Sequence, residues 1–134
     1  MIAAMARSAL ASETVQLAAK ERYHREIYVA APVADRVIEG YIDLLIETPD
    51  GLVIVDYKTD TVRSEAEVDA KLAAYELQGA AYALALETAT GLTVIDCRFV
   101  FCRPSGAIER RIADLDAATD RVRRHLEAVP DHRV

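Results

Sequence analysis

At 134 residues with 52% apolar side chains, the chain can close one hydrophobic core without disulfides or a structural metal. Sixteen basic against twenty-two acidic side chains give a formal charge of −6, which excludes a protein that grips nucleic acid over its whole surface and confines any such contact to a local site. No stretch approaches the roughly 20 apolar residues of a membrane span, and Cys97 and Cys102, at an odd separation along one strand, face opposite ways and form neither a bridge nor a metal pair, as fits a reducing, cytoplasmic setting.

The opening "MIAAMARSALASETVQLAAKER" reads as one alanine-rich amphipathic helix, without the basic start, apolar run and cleavage site of a secretory signal. "REIYVAAP" and "DRVIEGYIDLLIET" carry branched and aromatic residues at strand spacing, and "PDG" supplies a turn before "LVIVDYK". Three strands in a row result, the last two joined as a hairpin. Residues 59–64 are polar and form a loop. Val68, Leu72, Tyr75, Gly79, Tyr82 and Leu86 then recur at steps of four and three, tracing one face of a long helix from residue 65 to about 89. "TVIDCRFVF" is a fourth strand, "RPSG" a turn and "AIERRI" a short fifth strand paired back on it. "DLDAATDRVRRHLEAV" closes the chain as a helix, with Asp114 or Asp116 as its N-cap. Without a Pro- or Ser-rich linker or an internal repeat, residues 1–134 form a single domain that could be a piece of a longer protein. The fold class is α/β, with a mixed sheet rather than strict βαβ alternation.

The charged end of "VIVDYKTD" marks the candidate chemistry. If Pro49 and Asp50 form a two-residue hairpin loop, positions summing to 99 face each other and Asp43 lies across from Asp56. A three-residue loop with Gly51 left-handed would instead shift the register by one and separate the acids, unless a second bulge restored it. Alternation puts Ile54, Asp56 and Lys58 on one face of the strand and Val53, Val55 and Tyr57 on the other. Two carboxylates within about 5 Å repel, so they require a raised pKa, a neighbouring cation or a bound metal. Two acids, a lysine and a hard divalent ion are what metal-assisted phosphodiester hydrolysis uses. An Asp-x-Lys triplet by itself reads first as an ion-pair cluster at a strand end, and only the rest of the pattern changes that balance.

Three motifs together carry a resemblance. "GYIDL" at 40–44, "DYKTD" beginning thirteen positions after Asp43, and "YELQGAAY" at 75–82 resemble, in order and spacing, the RecB-type nuclease module of the PD-(D/E)xK superfamily, found at the C-terminal end of bacterial UvrD/AddA/RecB-type ATP-dependent helicase-nucleases. The resemblance covers residues 25–112. It implies a restriction-endonuclease-like core, a mixed central sheet of about five strands flanked by helices in the order α-β-β-β-α-β-β-α. It also implies that Asp43, Asp56 and the backbone carbonyl of Tyr57 hold Mg²⁺ or Mn²⁺, that Lys58 is the catalytic lysine, and that Gln78 and Tyr82 are the module's Gln-x-x-x-Tyr pair. Glu26 matches a first-strand glutamate and Tyr75 lies beside the signature; both are minor candidates.

The implied substrate is single-stranded DNA, cut during DNA end processing and recombinational repair in the bacterial cytoplasm. The implied partners are helicase motor domains of the parent polypeptide or complex, since no Gly-x-x-x-x-Gly-Lys-Ser/Thr loop is present here. Some relatives hold an iron-sulfur cluster with four cysteines; two, so placed, assign none. Active members usually carry a metal-binding histidine on an upstream helix, and no histidine precedes His24. The alternative is therefore a catalytically inert structural or DNA-guiding module of the same fold. Arg103, Arg110, Arg111, Arg121, Arg123 and Arg124 are candidate phosphate contacts, with a solvated helix face the stronger account of the last three.

Overall fold

A computed structural model describes residues 2–10, 12–59 and 62–128, with the side chains of 2, 3, 8 and 10 excepted. Asp60 and Thr61 of the expected loop, and residue 129 of the closing helical stretch, lie outside the described residues. The elements run α1 (Ile2–Leu10), α2 (Glu13–Ala18), β1 (Arg22–Val33), β2 (Arg36–Thr48), β3 (Gly51–Lys58), α3 (Glu65–Thr90), β4 (Val94–Phe101), β5 (Ile108–Arg111) and α4 (Leu115–Ala128). This is the expected order with one correction. The opening stretch is two helices, because Ser12 breaks it: its hydroxyl donates to the carbonyl of Ala9 at 2.6 Å and accepts from the amide of Val15, capping α2. An N-cap serine satisfies an otherwise unpaired amide only by leaving helical geometry itself.

The sheet is ordered β1-β2-β3-β4-β5. All neighbours are antiparallel except β3 and β4, and α3 is the crossover that a parallel pair requires. Thr48 pairs with Gly51 and Leu44 with Val55, which is the two-residue loop and the register that sums to 99. The Thr48 hydroxyl accepts from the amides of Asp50 and Gly51 and donates to the Gly51 carbonyl. Gly51 has φ of 149°, and a Cβ there would lie 2.7 Å from the Thr93 carbonyl oxygen. The β1–β2 hairpin turns on Ala34 and Asp35, both left-handed with φ of 49° and 63°, the backbone of a type I′ turn without its usual glycine.

Two cores sandwich the sheet. Ile42, Leu45, Ile54, Cys97, Phe99 and Phe101 pack beneath α3 and α4 against Val68, Ala83, Leu84 and Val122. Leu44, Ile46, Val53, Val55, Val100 and Cys102 pack on the other face under α1 and α2. The two cysteines thus face opposite ways, as their spacing requires. Gly79 lets α3 settle onto β4: a Cβ there would stand 2.7 Å from the Cys97 sulfur. Asp114, rather than Asp116, caps α4 by accepting from the Ala117 amide at 3.0 Å.

Candidate active site

The site forms where β2 and β3 part. Their ladder has its last paired residues at Leu44 and Val55, one position before the two acids, and there a side chain replaces a backbone partner: Asp43 Oδ2 accepts from the Tyr57 amide at 2.8 Å. The Lys58 carbonyl accepts from the Cys102 amide on the β4 side. Successive carbonyls of a strand point to opposite edges, so the Tyr57 carbonyl points towards β2 and Asp43.

Asp56 and Lys58 project on the α3 face. Lys58 Nζ lies 2.8 Å from Asp56 Oδ2, donates to Gln78 Oε1 at 3.2 Å, and sits 4.0 Å from the centroid of the Tyr75 ring. Gln78 Nε2 in turn donates to the Tyr82 hydroxyl at 3.5 Å. The ammonium is thus fixed from three directions with its side chain only 12% exposed. Burial pushes the Asp56 carboxyl up; Lys58 opposes this and contact with the Asp43 carboxyl reinforces it, leaving a pKa of about 6 against an ordinary 3.8.

Glycine at position 40 completes the seating of the helix. A Cβ there would fall 2.5 Å from the Tyr82 hydroxyl, so the Gly of "GYIDL" and the Tyr of "QGAAY" are two halves of one contact. Tyr75 packs on Phe99 and Phe101 with ring centroids 6.3 and 5.9 Å apart; it belongs to the core and touches the lysine as well.

Glu26 arrives by a route that counting across only the β2–β3 turn overlooks. In the β1–β2 ladder partners sum to 69, and the gap in that ladder is Glu26 opposite Asp43. Glu26 has φ of 51° in mid-strand, a left-handed conformation costing about 1–3 kcal/mol for a residue with a Cβ. Arg25, Glu26, Asp43 and Tyr57 line an open cavity of about 640 Å³. Arg25 was not expected here; counting across the Ala34–Asp35 turn would have found the pair.

Among the described residues no group of three or more His, Cys, Asp or Glu side chains is arranged to hold a metal. The donors that do converge, two crowded carboxylates and one carbonyl edge, suit a hard divalent cation. His24 Nε2 is 2.7 Å from Glu47 Oε2 on the β1–β2 ladder. Several arginines considered for phosphate contacts are paired within the protein: Arg110 with Asp69 and Glu65, Arg111 with Asp96, Arg123 with Asp120, and Arg103 with the Gly106 carbonyl.

A mixed five-stranded sheet with flanking helices, whose central strands part around two acids and a lysine, is the restriction-endonuclease-like architecture. The chain belongs to the PD-(D/E)XK nuclease superfamily, whose model matches residues 1–132. It is 43% identical over 58 residues to an ATP-dependent helicase/nuclease subunit of Alkaliphilus oremlandii (strain OhILAs), and 44% over 57 residues to the corresponding subunit of Thermoanaerobacter sp. (strain X514). These matches cover 43% and 42% of this chain but 5% and 4% of those much longer relatives. A solved structure from Eubacterium rectale, described as a candidate exonuclease, shares the fold with a TM-score of 0.58 at 13% identity, over 92% of this chain and 47% of the other. No helix among the described residues is long and apolar enough to cross a membrane.

Proposed function

We propose that the chain is a divalent-metal-dependent deoxyribonuclease domain that hydrolyses phosphodiesters of single-stranded DNA. It works as part of a longer bacterial helicase-nuclease of the cytoplasm, whose motor domains feed it the strand during DNA end processing and recombinational repair. The observation that carries this reading is the meeting of Asp43 and Asp56 beside a clamped Lys58.

Asp43, Asp56 and the Tyr57 carbonyl would hold Mg²⁺ or Mn²⁺, which when bound supplies Lewis-acid polarisation of the scissile phosphate. The chain's own groups account for the rest. With a pKa of about 6, Asp56 is mostly ionised near pH 7, and Lys58 supplies a fixed positive charge beside it. An ammonium oriented before the reaction stabilises charge developing on the phosphate without reorganising at the moment of transfer. Gln78 holds Lys58 through its carbonyl oxygen and Tyr82 through its amide nitrogen, so α3 sets the lysine's position. The acidic surface fits a module whose affinity for DNA comes largely from an attached motor.

The test is cleavage of labelled single-stranded DNA in Mg²⁺ or Mn²⁺ beside Asp56→Ala, Lys58→Ala and a chelator control. Wild type should cut and all three controls should not; equal rates would overturn the reading. One observation favours the second reading, an inert DNA-guiding module: no third acidic or histidine ligand joins Asp43 and Asp56 among the described residues. That module would bind the strand and leave it intact with either metal.

A further inference from the structure

Where α1 and α2 leave the sheet uncovered, β1 and β2 carry an exposed pair of tyrosines. Ile27, Val29 and Ala31 of β1, and Ile38 and Ile42 of β2, belong to the core beneath α3. By alternation Tyr28 and Tyr41 stand on the opposite face. They are directly paired across the ladder, with ring centroids 5.3 Å apart and planes tilted by 53°. They are 53% and 67% exposed, unusual for rings that bury well. The Tyr28 hydroxyl donates to Glu39 at 2.7 Å, which fixes that ring. The pair lies two residues along each strand from Glu26 and Asp43, about 7 Å at the strand rise. Glu26 and Asp43, two residues from the rings along their strands, line the cavity with Arg25 and Tyr57.

We infer that Tyr28 and Tyr41 form a stacking platform for the unpaired bases of single-stranded nucleic acid, next to the phosphate that enters the Asp43 cavity. This rests on the reading of the site as a nuclease centre. Ring faces stack any base without reading its sequence, and duplex DNA, whose bases are already stacked, cannot use them. Arg25 supplies a cation at the cavity end of the platform, where a strand stacked on the rings would bring its backbone. A protein partner fits less well. The apolar field is bounded by Arg25, Glu26 and Glu39, and two rings with Val37 fall well short of the roughly 800 Å² each side of a stable protein interface buries.

The probe is a fluorescein-labelled oligothymidylate, bound in chelator so that nothing is cut, beside a duplex of mixed sequence and an oligonucleotide containing 2-aminopurine, whose fluorescence falls on stacking. Wild type should prefer the single strand and quench 2-aminopurine. Tyr28→Ala and Tyr41→Ala should each weaken single-strand binding by about 5- to 150-fold and relieve the quenching, while Tyr28→Phe and Tyr41→Phe keep both. In cleavage assays the alanine variants should raise KM and leave kcat near wild type. Binding and quenching by wild type without cleavage would remove the nuclease reading and keep the platform. Cleavage by wild type, with alanine and phenylalanine variants binding and quenching alike, would overturn the platform, as would self-association abolished by Tyr41→Ala with DNA affinity unchanged. Melting curves identify any alanine variant that fails to fold; the phenylalanine variants and the wild-type quenching decide the matter regardless.

Discussion

Asp56→Asn should stabilise the protein at neutral pH while abolishing its activity. The wild-type carboxyl is raised from 3.8 to about 6, first by burial, against the pull of Lys58 and with the push of Asp43. That difference corresponds to about 3 kcal/mol between its neutral and charged forms. Solvent reaches this half-buried group, and screening reduces the figure to about 1–2 kcal/mol. The folded protein binds this proton more tightly than the unfolded chain, so the carboxyl's contribution to stability is complete below about pH 4. It is lost as the pH rises through about 6. Asparagine is a neutral carboxyl in shape and cannot lose that contribution. The variant should therefore match wild type at pH 4 and exceed it by about 1–2 kcal/mol at pH 7.5, measured by urea unfolding at fixed ionic strength. Saturating Mg²⁺ should raise the stability of wild type at pH 7.5 and leave Asp56→Asn unchanged, because only the former gains a ligand. Equal unfolding midpoints for the two proteins from pH 4 to 8 would refute the claim that the site holds Asp56 against its own charge.

Gly40→Ala should cost about 1–3 kcal/mol by forcing the Tyr82 ring off β2, and most of that cost should vanish in a Tyr82→Ala background when the two changes are combined in a double-mutant cycle. Arg98→Ala should cost about 3 kcal/mol in thermal unfolding, since it strips Asp96, whose side chain is 11% exposed, of its 2.7 Å partner and leaves it, among the described residues, Arg111 at 3.5 Å. Tyr75→Leu should lower kcat on single-stranded DNA by roughly 5- to 30-fold with little effect on KM, the equivalent of a partly desolvated cation–π contact.

Periodicity alone was enough for α3. Its buried and half-buried positions, Val68 through Leu86, repeat at helical spacing, and the glycine among them leaves no room for a Cβ against Cys97 and Phe99 of β4. The β2–β3 register was legible only as two alternatives, and what decided between them is a side chain: the Thr48 hydroxyl closes the two-residue turn. The break at Ser12 was missed because an alanine-rich stretch hides a cap that acts through a single hydroxyl. The place of Glu26 was harder still, since the turn that sets it uses Ala34 and Asp35 in left-handed conformations that no glycine announces. Which acids pair with the arginines near the last strands was not legible, for residues 41 positions apart, such as Arg110 and Asp69, meet only in three dimensions.

Three departures from regular β structure fall in one row across the sheet: Glu26 left-handed in mid-strand, Asp43 standing in for a ladder partner, and Asp56 buried against its charge. Each costs free energy in isolation, and a sheet built for stability alone would have put paired, branched residues in all three places. Their coincidence has a mechanical cause. β2 must hand its inward face over from Ile42 beneath α3 to Leu44 beneath α1 and α2, and a strand can do this within two residues only by abandoning regular pleating at the residue between. That residue is Asp43. The irregularity opens the strands, the opening turns one carboxylate and one carbonyl edge towards the gap, and β3, buried from Leu52 to Val55, delivers the second carboxylate and the lysine beside it. The strain and the site are then one feature, so a change that restored regular pairing at Glu26 and Asp43 would gain stability and close the gap between the strands.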